Sequence, residues 1–398
     1  MLVIRNIGEL FLGDGRSIRN AQLRIENGRI LDYGDFGAGG EDLLDARGGA
    51  VLPGLIDSHT HMVFAGNRCD EFVMRAKGMS YLEIARAGGG IARTVEAVRK
   101  ASLDQLVELA LPRLARMLTY GVTTAEVKSG YGLTVEDEIK MLLAARKLRE
   151  LQPVEVVSTY LGAHAVPPEY RDRREAYVDL VVSDELMGRV ADEGLAEFVD
   201  VFCEESAFTV EESRRILEAG RKRGLAPKIH ADQITQMGAS RLAAEVGCVS
   251  ADHLERIDEG GIAAIREAGV IAGLLPGCSF YLGVPQAPGR RLLDEGVPVA
   301  FATNYNPGSS MVECLPLALS IACTQMKVTP TEALVGATAT AAAALRRETR
   351  LGRIEKGMDA DLAILDVPSV DQWLSEMGRG SARTVLKRGQ VVHESPRS

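Results

Sequence analysis

Residues 50–61 read AVLPGLIDSHTH. An apolar run breaks at Pro53-Gly54, resumes at Leu55-Ile56, and ends in a polar group that carries two histidines. The same figure, a strand-like apolar run closing on polar residues, returns seven times. It stands at 121–132 (GVTTAEVKSGYG), 154–165 (VEVVSTYLGAHA), 198–208 (FVDVFCEESAF), 226–232 (APKIHAD), 248–254 (CVSADHL), 269–277 (GVIAGLLPG) and 297–306 (VPVAFATNYN). Amphipathic stretches lie between these runs. Residues 102–121 and 134–151 space their apolar positions by three and four, which predicts helices. Thr134 in TVED is an N-cap candidate, and the acidic first turn after it suits the helix dipole. Residues 210–225 end on a helix-terminating Gly. Eight strands alternating with helices predict an α/β fold, a (β/α)8 TIM-like barrel. A doubly wound sheet would instead carry GxGxxG, or GxxxxGK followed by Ser or Thr, after an early strand. Neither is present, and Gly88 to Gly90 fall in a helical pattern, where they read as a kink or a packing contact.

The two ends resemble each other. Residues 2–36 alternate like short strands, and NG in IENGRI is a hairpin signal. Residues 351–393 do the same around KG and RG. The expectation is a small composite β-sandwich domain from 1–55 and 351–398, enclosing a barrel over 56–350. With 46% hydrophobic and 25% charged residues the chain can bury a large core, and its net charge of −9 argues against nucleic acid as a partner. No apolar run reaches the roughly 18 residues of a membrane span, and the first residues show no targeting pattern. Six scattered cysteines without a CxxC pair read as buried, reduced thiols of a cytoplasmic protein. The apolar stretch 311–326 reads as barrel packing, with a homodimer contact as its alternative.

Of the six histidines, five end predicted barrel strands: His59 and His61 the first, His164 the third, His230 the fifth and His253 the sixth. Barrel chemistry sits at those ends. His59 and His61, two apart on a strand, face one side of it. With His230 across the mouth they make three neutral imidazoles around an open position, the pattern of a catalytic zinc or similar ion. The eighth strand closes beside the first, so Asn304 at its end is the fourth candidate ligand.

At this point the chain resembles the amidohydrolase superfamily and, within it, the imidazolonepropionases. The resemblance rests on HTHMVFAGNRCDEF, SYLEIARAGGGI, EVKSGYGL, LGAHAVP, KIHADQ, SADHL, LLPG and TNYNPGSS, with GRIEKGMDADLAILD as a more general superfamily ending. It implies hydrolysis of the ring amide of 4-imidazolone-5-propanoate, a small-molecule substrate, to N-formimidoyl-L-glutamate in histidine degradation. It implies one divalent metal ion, zinc first and iron second, held by His59, His61, His230 and Asn304. It places the substrate against Arg68, Tyr131, His164, Gln233, Asn306, Gly308 and Ser309, and the chemistry on His253, Asn304 and Gln233. The residue types suit this. Arg68 offers a planar fork to the substrate propionate, and Gln233 has both a donor and an acceptor for ring nitrogens. The bland alternative for Arg68 is a surface ion pair with Asp70 or Glu71. Lys128 reads as an ion pair or a loop hydrogen bond. The fourth strand carries Glu204 and Glu205 but no Lys to bridge two metals, which favours one ion.

One position departs from the family pattern, which has Asp where this chain has Asn304. An amide keeps a carbonyl oxygen for a metal but cannot take a proton. If that step belongs to this position, losing the base costs on the order of 10²–10⁴ in rate. His253, or an inward-pointing Glu204 or Glu205, is the expected substitute. The alternatives are another cyclic amidohydrolase or deaminase, or a non-catalytic binding paralogue.

Overall fold

The computed structural model describes residues 1–36, 42–79, 83–84 and 88–395. Eight parallel strands run in chain order around one sheet: Leu55–Asp57, Val122–Lys128, Glu155–Ala163, Phe198–Cys203, Ala226–Ala231, Ser250–His253, Ile271–Leu274 and Val299–Phe301. Each pairs with its successor in parallel. The first and last meet just beyond their ends, where Thr60 bridges Tyr305. Asp57 staples the seam, accepting hydrogen bonds from the N–H (3.1 Å) and hydroxyl (2.6 Å) of Thr303. Helices pack outside; the expected cap Thr134 accepts from the N–H of Asp137, and Thr209, a cap not singled out from the sequence, forms a capping box with Glu212. Helix 339–344 plugs the far end of the barrel, where Ala341, Ala342 and Leu345 pack on Ile56, Val157 and Phe198. The apolar helix Leu315–Met326 is mostly buried and packs on its neighbours, as its composition suggests.

Both chain ends share a second structure. Glu9–Phe11, Ser17–Arg19 and Val51–Pro53 join Leu362–Ile364, Thr384–Lys387 and Gln390–Glu394 in one six-stranded sheet. A four-stranded sheet of Leu2–Arg5, Gln22–Glu26, Arg29–Gly34 and Asp42–Asp45 faces it across Ile4, Leu10, Leu23, Val51, Leu362 and Leu386. Asn27 and Gly28 both take positive φ, as a two-residue hairpin with this twist requires.

The opening stretch is not one strand, however. Val51–Pro53 pairs with Leu362–Ile364 in the terminal sheet, while Leu55–Asp57 begins the barrel. Gly54 hands the chain over, pressed on Thr123 so closely that a Cβ would collide with it. Gly88 to Gly90 do not kink a helix: Gly90, at φ 86°, is the N-cap of Ile91–Lys100. Part of 80–91 lies outside the described residues. The six cysteines are free thiols, but Cys69 is exposed, so burial does not hold for all of them. Among the described residues no helix is long and apolar enough to cross a membrane.

Candidate metal centre and active site

The three candidate ligand histidines converge. His59 and His230 place Nε2 at 3.2 and 3.3 Å from Nε2 of His61, all three rings buried. Their outer nitrogens explain the aim. His59 Nδ1 meets Asp252 at 2.7 Å, and His230 Nδ1 meets Asp200 at 3.1 Å. A carboxylate only accepts, so each Nδ1 carries the proton and each Nε2 presents a lone pair. Burial holds His59, His61 and His230 below the ordinary imidazole range, which keeps them neutral. Lone pairs facing one another this closely repel unless a cation lies among them, so the donor set fits a divalent ion. Asn304, the fourth candidate, stands at the seam beside His59. Its N–H bonds the His59 carbonyl at 3.0 Å, and its buried Oδ1 has no hydrogen-bond partner.

A charge network lies beneath. Lys128 is fully buried and reaches Asp200 at 2.7 Å and Glu126 at 2.9 Å. Lys228, equally buried, reaches Glu126 at 2.9 Å. Burial alone would raise the Asp200 carboxyl, but the Lys128 ammonium and the hydrogen bonds from Lys128 and His230 outweigh it and hold Asp200 well below the usual carboxylate range. His59, Glu126 and Asp252 also have metal-ligand spacing. The two ammonium groups already supply the cations there, so this is an ion-pair cluster rather than a second metal site. The sequence signal for it was available: charged residues inside otherwise apolar strands (AEVK, VDV, PKI, SAD). Which pairs with which was not.

The remaining candidates line the mouth. His164 stacks on His61 with centroids 5.0 Å apart, and its Nδ1 donates to the Gly130 carbonyl at 3.0 Å. Burial first, then the neighbouring His230, drops its pKa to about 3. Gly130, at φ 106°, leaves no room for a side chain between His164 and the Leu161 carbonyl. Tyr131 lies 5.2 Å from the His164 ring. His253 approaches His59 and His230, with centroids at 5.8 and 5.4 Å. Arg68 pairs with Glu71 at 2.7 Å, but both side chains are buried, so the pair is not the surface one expected. Its guanidinium also packs directly on Gly308, where a Cβ would displace it. Asn306 organises the loop: its Oδ1 accepts from the N–H groups of Gly308 and Ser309, and its Nδ2 donates to the Asn304 carbonyl. Gln233 is half-buried three residues past His230, and among the described residues no hydrogen bond holds its amide.

Both glutamates offered as substitutes for the missing Asp are diverted. Glu204 accepts from the N–H of Ile234 and from the N–H and hydroxyl of Thr235, and Glu205 is exposed. The ends of strands five, six and eight carry residues in the left-handed region: Asp232, His253, Leu254 and Asn304. Such strain gathers at functional sites.

The amidohydrolase family model matches residues 65–393. The imidazolonepropionase of Geobacillus kaustophilus is 50% identical over 385 residues, covering 94% of this chain and 90% of its own. That of Geobacillus thermodenitrificans is 48% identical over 390 residues, with 96% and 92% covered. That of Myxococcus xanthus is 48% identical over 410 residues, with 98% and 97% covered. Among solved structures, the zinc complex of atrazine chlorohydrolase from Arthrobacter aurescens superposes with a TM-score of 0.76 at 21% identity, covering 99% of this chain and 95% of that one. That likeness is one of fold. The chain belongs to the amidohydrolase family and, within it, to the imidazolonepropionases, hydrolases of a cyclic amide.

Proposed function

We propose that the chain hydrolyses the ring amide of 4-imidazolone-5-propanoate to N-formimidoyl-L-glutamate. One divalent ion, zinc before iron, would be held by His59, His61, His230 and Asn304. The observation that carries this is the convergence of three buried Nε2 atoms at 3.2 and 3.3 Å, with the protons of His59 and His230 directed away by the carboxylates of Asp252 and Asp200. An ion bound there supplies water that is acidic enough to react near neutral pH.

The chain's own residues do the rest. Arg68, steadied by Glu71 and seated on Gly308, takes the propionate, with Tyr131 beside it. Neutral His164, its one proton held on Nδ1 by the Gly130 carbonyl, turns its Nε2 lone pair to the substrate and accepts a hydrogen bond from a ring N–H. Gln233 bonds the ring nitrogens. The water oxygen adds to the carbonyl carbon while His253 takes the released proton. His253 then gives it to the ring nitrogen as the C–N bond breaks. Asn306 and Ser309 shape the loop that closes over the substrate tail.

A deaminase or a non-catalytic binder would use the same cluster, but the relatives' names favour the hydrolase. The test is a zinc-loaded ring-opening assay beside metal analysis. Turnover with about one zinc per chain supports the reading; tight binding of the imidazolone without product overturns it.

A further inference from the structure

Glu255 has no part in the scheme above, yet it is the carboxylate next to His253. The chain turns sharply where strand six ends. His253 has φ 84° and Leu254 φ 67°, consecutive left-handed residues with side chains. Such conformations persist only where the surroundings impose them. The turn does two things. It swings the His253 ring to within 5.4 Å, centroid to centroid, of His230. It also brings Glu255 back beneath the ring, with Oε1 3.4 Å from His253 Nδ1. Ser279, buried on the helix Pro276–Leu282, donates its hydroxyl to the same Oε1 at 3.0 Å. Oε2 is buried without a hydrogen-bond partner, and the side chain is only 5% exposed. Among the described residues, the other carboxylates around the histidines are engaged elsewhere. Asp252 holds His59, Asp200 holds His230 and Lys128, and Glu126 holds the two lysines. Glu204 is spent on the 234–235 backbone.

We infer that Glu255 is a positioning residue. It fixes His253 as the Nδ1–H tautomer and leaves Nε2, with its lone pair, turned to the reacting centre. The inference rests on the reading of His253 as proton acceptor. A carboxylate with one hydroxyl donor and one spare oxygen can only accept from the ring, so the tautomer follows from the partner. This is the orienting acid of a nucleophile–base–orienter arrangement, used here on a base that acts on water. It also gives Asn304 a context. Where no carboxylate stands at the end of strand eight, the acidic group nearest the proton acceptor is the one behind His253.

The test uses zinc-loaded protein. Histidine side-chain ¹⁵N–¹H spectra, with the His253 signals assigned by their loss in His253→Ala, read the tautomer directly. Wild type is expected to carry its proton on Nδ1; a proton on Nε2 overturns the inference without any further variant. In Glu255→Gln the amide can turn an N–H toward the ring, so the proton moves to Nε2 and kcat falls by about 10²–10⁴. KM stays within about threefold and zinc content is unchanged, which separates a fault of orientation from a damaged site. Glu255→Asp, which keeps the acceptor, recovers part of kcat. Wild-type kcat in Glu255→Gln, or a loss that tracks loss of zinc, overturns the inference. Failure of wild type to open the ring at all sinks the hydrolase reading instead, and the spectra still decide the role of Glu255.

Discussion

Changing Asn304 to Asp separates two jobs that one carboxylate usually combines. The side chain is 2% exposed, its Oδ1 has no hydrogen-bond partner, and the Cys278 thiol lies against its amide. In metal-free protein a carboxylate there is a buried charge without a donor, a loss of about 3–5 kcal/mol. Stripped Asn304→Asp should therefore unfold in less urea than stripped wild type. With a dication in the cluster the sign reverses. Charges of two and one about 4 Å apart attract by about 8 kcal/mol at an effective dielectric constant near 20. Desolvation consumes most of that, leaving about 1–3 kcal/mol, or roughly ten- to hundredfold in zinc affinity. Competition with a chelator of known affinity measures it; equal affinities in the two proteins would remove Asn304 from the ligand set. The rate then tests the base. With His253 already accepting the proton, zinc-saturated Asn304→Asp gains less than about tenfold in kcat. A gain of about 10² or more, the ordinary worth of a general base, refutes the role given to His253.

Lys128→Met leaves the fully buried Asp200 without an ammonium partner and Glu126 with Lys228 alone, and should cost about 3–5 kcal/mol in urea unfolding; a loss below about 1 kcal/mol would mean that water reaches the cluster. Arg68→Lys keeps the charge but not the fork, so KM for the imidazolone should rise by about tenfold or more. An analogue lacking the propionate should show no difference between the two proteins, and a difference there would detach Arg68 from the carboxylate. Gly308→Ala pushes on the same guanidinium and should raise KM with kcat little changed, read from the same assay. Burial alone would raise the Glu155 carboxyl, but Arg350, Lys387 and Arg347 outweigh it and bring it from 4.5 to about 2. Its contribution is complete above pH 4.5 and fades as pH falls toward about 2. The urea-midpoint gap between wild type and Glu155→Gln should therefore close over that interval; a gap independent of pH would assign the effect to packing.

The barrel was legible because alternation of apolar runs with amphipathic stretches is a local property, set by which face of each element is buried. The histidines were legible for a related reason: a scarce residue type recurring at strand ends is visible without knowing the pairing. Motifs such as HTHMVF and TNYNPGSS then narrowed the chemistry. What the chain could not announce was partnership across the barrel. His59 finds Asp252 at 193 residues' separation, and Lys128 finds Asp200 at 72. Lys128 looked like an ordinary ion pair and proved to be the buried counter-charge behind the histidines. Glu204 looked free to act and is taken up by a neighbouring loop. Glu255 drew no attention, because only the left-handed turn at 253–254 carries it under the ring. Burial patterns are written residue by residue. The partner of a buried charge is settled by strand register and barrel closure, which exist only once the whole chain has folded.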